Sequence, residues 1–174
     1  GLFKELPKKN ILIWRPYLKK FNKNIFDSYY HNDFKIFILP SATNLLPYEV
    51  DRNISKLDTF KYKKVSNFIG VPENYNKILE QELDKNEIKY KSYNFIFNNN
   101  NNGVSMKNNE KFIQESIIAP ALQTEWEIEA GYIPCRIFKN ISYGKMGMTN
   151  NPTVNKLFNN KLIYSSDISE IVKK

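Results

Sequence analysis

"KVSNFIGVPENYNKILEQELDKNEIKYKSYNFIF", residues 64–97, contains a strand, a helix and a second strand in succession. The run VSNFI is short and apolar and is followed by Gly70, which is typical of a buried strand that ends in a turn. A helix is predicted to begin at Pro72, because proline is tolerated in a first helical turn, and IKYKSYNFIF reads as the second strand. Together they form the parallel crossover unit of an α/β sheet.

The chain beyond this unit alternates helices with short strands. Helices are predicted in NNEKFIQES, LQTEWEIEAG and TVNKLF, between Pro134 and Gly144, and after a cap at Asp167; strands are predicted in KMGMTN and KLIYSS. The apolar stretch IIAP, residues 117–120, is given no element, and the asparagine run 98–102 is predicted to be a loop without function. This order predicts an α/β protein with a Rossmann-like, doubly wound, mostly parallel sheet.

The first third of the chain is predicted to belong to another lobe. Two apolar runs, NILIW and FKIFILP, read as strands, and SATNLLPYEVDRNI, residues 41–54, reads as a loop because prolines and polar acceptors interrupt it. We therefore expect residues 1–60 to be the end of an N-terminal lobe and the interlobe crossing, and residues 61–174 to be the Rossmann-like lobe. The start at Gly1 without a methionine leads us to expect a piece of a longer protein.

Charge and composition favour some partners over others. A formal net charge of +8 favours an anionic partner, whether nucleic acid, a membrane surface or a phosphorylated small molecule. His31 and Cys135 are single residues of their type, far apart in sequence, which argues against a zinc site or a Cys–His nucleophile. No nucleic-acid-binding pattern, membrane-length apolar run or signal sequence is present, so we expect a cytoplasmic protein, either free or peripheral to a membrane.

The segment GYIPCRIFKNISYGKMGMTN, residues 131–150, predicts a short amphipathic helix. Pro134 suits its first turn and Gly144 suits the residue just past its end. Its apolar face would carry Ile137, Phe138 and Ile141, and its polar face Arg136, Lys139, Asn140 and Tyr143. The helix N-terminus, with Arg136 or Lys139, could hold an anion such as a diphosphate, although an ordinary surface helix would show the same pattern.

Gly70 is a second candidate for phosphate binding. It follows the strand VSNFI, and ligands of open α/β sheets bind beyond the carboxyl ends of strands. Neither G-x-G-x-x-G nor G-x-x-x-x-G-K-[ST] occurs in the chain, which disfavours a nicotinamide-dinucleotide fold and a P-loop.

Residues 129–150 resemble the donor-site segment of GT-B-fold glycosyltransferases, especially the loosely defined group with an R-x-F-E-x-x-x-x-G core, which falls on residues 136–144. The similarity extends to FILPSATNLLP, which looks like the lobe crossing, and to VSNFIGVPENYNKILEQELDKNEIKY and LIYSSDISEIV, which look like the first and last units of the nucleotide-sugar lobe. It covers most of the chain from about residue 36. Lys139 is a departure, because retaining members usually carry a glutamate there that accepts hydrogen bonds from the donor ribose, and an ammonium offers only donors.

The resemblance implies a nucleotide-diphosphate sugar as donor substrate, bound at the carboxyl edge of the sheet, with no metal and no further cofactor. Arg136 and Lys139 would stabilise the departing diphosphate. The catalytic residues stay unknown, since the acceptor and any base belong to a lobe mostly missing here. The strand-end argument and the resemblance together predict these donor-binding residues: Gly70, Glu129, Tyr132, Arg136, Lys139, Tyr143, Gly144, Thr149 and Asn150.

The predicted function is therefore the donor-binding lobe of a glycosyltransferase acting on a glycan or other acceptor, as in polysaccharide assembly, and inactive by itself. The alternative is a non-catalytic α/β module that uses its basic face to bind a partner protein or a membrane surface. Lys139 favours the alternative, and the glycines at 131 and 144 favour the transferase.

Overall fold

A computed structural model describes residues 12–15 and 35–38 as backbone only, and residues 42–56, 63–71, 73–93 and 106–173. Several features discussed above lie outside these residues: Gly1, His31, the predicted domain boundary at 60/61, Pro72, the end of the second predicted strand at 94–97 and the asparagine run 98–102. In the described part no helix has the length and apolar character needed to cross a membrane.

The described strands are all paired in parallel. Their bounds are Leu12–Arg15 (β1), Lys35–Ile38 (β2), Val65–Ile69 (β3), Lys89–Tyr93 (β4), Ala119–Pro120 (β5), Gly147–Thr149 (β6) and Ile163–Tyr164 (β7). β1 pairs with β2, β3 pairs with β4, and β6 pairs with both β5 and β7. The chain is thus α/β with small parallel sheets, as its sequence predicted.

One bridge joins two of these sheets. Ser66 of β3 forms a parallel bridge with Ile118, just before β5, and the Ile117 amide donates to the Val65 carbonyl over 2.9 Å. The order of strands across this region is therefore β4-β3-β5-β6-β7. After β3 the chain forms β4 on one side of that strand. It then crosses to the other side of β3, where β5, β6 and β7 follow in order.

The helices cover both faces of these strands. They span Pro47–Ile54 (α1), Asn74–Asp84 (α2), Met106–Gln114 (α3), Glu125–Glu129 (α4), Cys135–Ser142 (α5), Pro152–Leu157 (α6) and Ile168–Ile171 (α7). Met148 packs with α2 and α7 in a cluster that includes Leu79, Leu83, Leu122 and Ile171. A Cβ on the preceding residue, Gly147, would instead meet Ile137 and Ile141 of α5, so α5 lies on the opposite face.

The ends of α5 follow the local sequence code. Pro134 occupies the N-cap, one position before the predicted first turn. Gly144 has a φ of +86°, and the amides of Gly144 and Lys145 donate to the carbonyls of Ile141 and Asn140. These two bonds form a Schellman motif, which needs a left-handed residue and so favours glycine at this position.

One predicted feature of the fold is wrong, and one strand was not predicted. The segment predicted as a loop at 41–54 contains the two-turn helix α1, in which Pro47 opens the first turn and the Leu46 amide donates to Glu49 Oε2 over 2.9 Å. The stretch IIAP, given no element, contains β5, the strand that links β3 to β6. A two-residue strand ending in proline leaves too little periodicity to be recognised.

The buried cation Lys145 predicts an unusual pH dependence of stability. Its ammonium donates to the Ser116 carbonyl over 2.5 Å, the residue is only 6% exposed, and burial lowers the pKa of Lys145 to about 8. Between that pKa and 10.5, the unfolded chain binds a proton that the folded chain does not, so stability should rise with pH.

The matching experiment replaces Lys145 with methionine. Between pH 8 and about 9.5, the free energy of unfolding of the unsubstituted chain should gain on the order of 1 kcal/mol relative to Lys145→Met. This range ends below 10.0, the ordinary pKa of tyrosine. Burial raises the pKa values of Tyr75 and Tyr143 above it, so these two groups stay largely un-ionised over the range. Lys161→Met, at an exposed position, is the control. Parallel pH profiles for the unsubstituted chain and Lys145→Met would contradict the assignment.

Candidate functional site at the carboxyl ends of the strands

The strand order creates a crevice beside β3. In open parallel sheets, ligands bind outside the carboxyl ends of the strands, at the point where successive connections run in opposite directions. Here that point lies between β3 and β5. Ile69 and Gly70 border it on one side, and Leu122 and Gln123 on the other.

Arg136 spans this crevice. It is the second residue of α5, and its Nε donates to the Ile69 carbonyl over 2.8 Å while its Nη1 donates to the Leu122 carbonyl over 3.3 Å. Its guanidinium carbon lies 4.3 Å from the centroid of the Phe68 ring. The carbonyls at two strand ends and the face of an aromatic ring thus fix the position of the Arg136 guanidinium, so this cation is preorganised before any ligand binds.

Gly70 makes this position of Arg136 sterically allowed. It has a φ of +152°, and a Cβ at this residue would lie 2.3 Å from Arg136 Nη2. Any side chain at position 70 would therefore displace the guanidinium. Two residues that were predicted separately from the sequence are in direct contact.

The charge of Arg136 has no anionic partner among the described residues: no described carboxylate lies within ion-pair distance of its guanidinium. The nearby hydroxyl of Tyr75 is half-buried, and burial raises its pKa while the charge of Arg136 partly opposes that rise. Because buried charges in proteins are usually paired, a half-buried guanidinium whose partners among the described residues are all neutral is suited to an external anion.

The N-terminus of α5 adds donors at the same edge. Pro134 supplies no side-chain hydrogen bond to the first turn, where the Ile137 amide donates to the Pro134 carbonyl over 3.3 Å. The amides of Cys135 and Arg136 precede it and have no acceptor within the helix. Aligned peptide dipoles also place partial positive charge there. Arg136 and the first turn of α5 therefore present one positive region.

A carboxamide network holds the neighbouring loops together. The side-chain amide of Asn150 accepts from the Gln123 backbone amide over 2.9 Å and donates to the Gln123 carbonyl over 2.8 Å. This is the pair of bonds that the backbone of a neighbouring strand would make. Asn151 donates to Gln123 Oε1 over 2.8 Å, and Gln123 Nε2 donates to the Tyr132 carbonyl over 2.9 Å. The network joins the loops after β5 and β6, and all three amide side chains are buried.

The network changes the interpretation of three predicted residues. Both ends of the Asn150 amide are already bonded, so the residue fixes a loop rather than presenting free groups. Tyr132 contributes its carbonyl to the network, and the Thr149 hydroxyl accepts from the Asn151 amide over 3.1 Å. Sequence reasoning missed Gln123 and Asn151; the only signal for Asn151 was its position before Pro152, which is that of an N-cap.

Tyr143 and Gly144 lie at the other end of α5. Eight residues separate Gly144 from Arg136, which is about 12 Å along a helix, so the two residues do not flank one diphosphate. Tyr143 is buried, and its hydroxyl donates to Asn44 Oδ1 over 2.6 Å. The arrangement separates both residues from the candidate site.

Two of the four residues on the predicted polar face of α5, Asn140 and Tyr143, are buried. Asn140 is 2% exposed and donates to the Ala119 carbonyl over 2.9 Å, while Tyr143 packs with Ile113 of α3. This correction has a simple cause: a buried polar layer produces the same spacing as a solvated face. Ile137, Phe138 and Ile141 do pack together in one apolar cluster, as predicted.

Lys139 and Glu129 stand apart from these contacts. Lys139 is half-buried and its ammonium has no hydrogen bond or ion pair to a described residue, whereas Glu129 is exposed at the end of α4. Among the described residues, no group of three or more His, Cys, Asp or Glu side chains is placed to hold a metal ion.

Comparison of the chain with models of protein families, with curated proteins and with solved structures finds no match. The similarity to glycosyltransferases therefore stays a prediction from motifs. Function has to be argued from the crevice between β3 and β5.

Proposed function

We propose that this chain is the donor-binding lobe of a glycosyltransferase and that it binds the diphosphate of a nucleotide sugar in the crevice between β3 and β5. The observation that carries the proposal is the guanidinium of Arg136, which is fixed across the ends of both strands and has no carboxylate partner among the described residues. Strand order and the motif at 136–144 support it. The lobe acts with an N-terminal lobe that holds the glycan or other acceptor.

The chemistry of transfer suits such a site. A diphosphate leaving group develops negative charge as the glycosidic bond breaks, and fixed donors stabilise that charge without reorganisation. Arg136 has N–H groups beyond the two bound to carbonyls, and it belongs to the first turn of α5. Lys139, one turn further along α5, would contact the same phosphates as a point charge.

We also propose that the sheet is a doubly wound, Rossmann-like lobe of the GT-B type. The described order β4-β3-β5-β6-β7 has the flavodoxin-like pattern, in which the switch lies beside the first strand of the unit. The dinucleotide-binding order 3-2-1-4-5-6 also places its switch beside its first strand. The location of the ligand crevice is therefore the same under either order.

The alternative function is a non-catalytic module that binds a membrane surface or a partner protein through its basic face. It is favoured by Lys139, whose ammonium has no described partner and replaces the family's glutamate, and by the net charge of +8. In either role we place the protein in the cytoplasm, free or against a membrane face.

Calorimetric titration with a panel of nucleoside diphosphates tests the proposal. At least one of UDP, GDP and ADP should bind, with an affinity that falls as salt is added, while the matching nucleoside without phosphates should bind at least tenfold more weakly. Vesicles containing phosphatidylserine provide the second arm. Binding to these vesicles with no binding of any nucleoside diphosphate would replace the proposal with the alternative.

A further inference from the structure

A groove of about 390 Å³, lined by residues with polar groups, lies between the first half of α2 and β4. Glu73, Lys77 and Glu80 line it from the helix side, and Tyr90 and Ser92 from the strand side. Its volume is in the range of small-molecule sites. None of these residues was predicted from the sequence to bind a ligand.

The hydroxyl of Tyr90 lies in this groove with its orientation as a hydrogen-bond donor already fixed. Asn76 is 2% exposed; its Oδ1 accepts from the Glu73 amide over 2.7 Å, and its Nδ2 donates to the Tyr90 hydroxyl. Because the phenol oxygen already accepts, its own hydrogen is left to donate, and no described residue accepts it. Burial raises the pKa of Tyr90 far above its ordinary value, so the phenol stays neutral.

The charges of the groove select against phosphate. Glu73, Lys77 and Glu80 recur at helical spacing on one face of α2, and none of them forms an ion pair with a described residue. Two carboxylates and one ammonium leave a net negative charge. Carboxylates accept hydrogen bonds, and together with a phenol, an ammonium and a serine hydroxyl they suit a neutral ligand rich in hydroxyl groups.

The groove adjoins the crevice that holds Arg136. The ring of Phe68 lies 6.4 Å from the ring of Tyr90 and 4.3 Å from the guanidinium carbon of Arg136, so one side chain separates the two. Ser92 is next to the last residue of β4, which places the groove at the carboxyl edge of the strands as well. A ligand with one anionic and one polyhydroxyl part could occupy both places.

We propose that this groove binds an uncharged, hydroxyl-rich glycosyl unit. The inference deepens the proposed function, because such a unit would come either from the nucleotide-sugar donor or from the acceptor glycan. Tyr90 donates to one hydroxyl of the unit, and Glu80 accepts from others. The groove thus binds an uncharged glycosyl unit, whereas Arg136 binds an anionic diphosphate.

The test compares Tyr90→Phe and Glu80→Gln with Glu87→Gln, an exposed carboxylate outside the groove. Each full-length variant is titrated with UDP, with UDP-glucose and GDP-mannose, and with maltotriose as a neutral oligosaccharide. Tyr90→Phe and Glu80→Gln should each weaken at least one sugar-bearing ligand about tenfold and leave UDP unchanged. An effect on the nucleotide sugars identifies the donor as the source, and an effect on maltotriose alone identifies the acceptor.

Two results separate the failure of this inference from that of the proposed function. Equal binding of every sugar-bearing ligand by all three variants, or no binding of any of them, would overturn the groove as a glycosyl site. Binding of maltotriose that depends on Tyr90, with no binding of any nucleotide, would keep the groove and refute the donor lobe. Far-ultraviolet circular dichroism and thermal melts confirm that each variant is folded, and the two groove variants test the same site independently.

Discussion

Replacing Gly70 with alanine should lower the free energy of unfolding by about 2–4 kcal/mol. Two effects add. A residue with a side chain is strained at a φ of +152°, and its Cβ would lie 2.3 Å from Arg136 Nη2, so the guanidinium would have to leave the carbonyl of Ile69. Urea unfolding of the two proteins measures the difference.

Gly144→Ala is the matched control for this prediction. Gly144 also has a positive φ, +86°, but ends a helix, so alanine there should cost only about 1 kcal/mol. In a double-mutant cycle, Arg136→Met should remove part of the penalty of Gly70→Ala, because the shorter neutral side chain relieves the clash. Equal penalties at both glycines, with no coupling to Arg136, would show that the contact does not determine the glycine.

Asn151→Ala should destabilise the chain by about 2–4 kcal/mol. The Asn151 Oδ1 accepts from the amides of Thr153 and Val154, and so caps α6. Its Nδ2 donates to Gln123 Oε1, which would be left buried without this partner. The loss therefore combines a helix cap with an unsatisfied buried oxygen.

Asp167→Ala separates these two contributions. Asp167 caps α7 through the Ser169 amide at an exposed site, so its removal should cost only about 1 kcal/mol. Thermal and urea unfolding of both variants give the comparison. If Asn151→Ala is no more destabilising than Asp167→Ala, the carboxamide network does not stabilise the loops after β5 and β6.

Local sequence signals predicted the elements whose structure is decided locally. Gly144 ends α5, Asp167 caps α7, and α6 begins at Pro152, because caps and glycine conformations depend on few residues. β5 could not be recognised, since two residues carry no periodicity and its place in the sheet depends on the pairing of Ala119 with Gly147, 28 positions away.

The candidate site was predicted residue by residue but not as an arrangement. Gly70 and Arg136 each followed from a local argument, while their contact depends on a helix and a strand 66 positions apart. The spacing of Asn140 and Tyr143 predicted a polar face, but spacing cannot distinguish contact with water from contact with buried polar partners, which here are the Ala119 carbonyl and Asn44 Oδ1. Gln123 gave no signal, since its bonds to Tyr132 and Asn151 are all tertiary.

The most direct test of the central claim is to titrate the best-binding nucleoside diphosphate into Arg136→Met and Lys139→Met under conditions in which both variants are folded. Methionine keeps much of the aliphatic stem and removes the charge in each case. If Arg136 holds the diphosphate between β3 and β5, Arg136→Met should weaken binding at least tenfold. Lys139→Met should weaken binding less, because no described residue fixes the Lys139 ammonium in place. Unchanged binding by Arg136→Met would contradict the account.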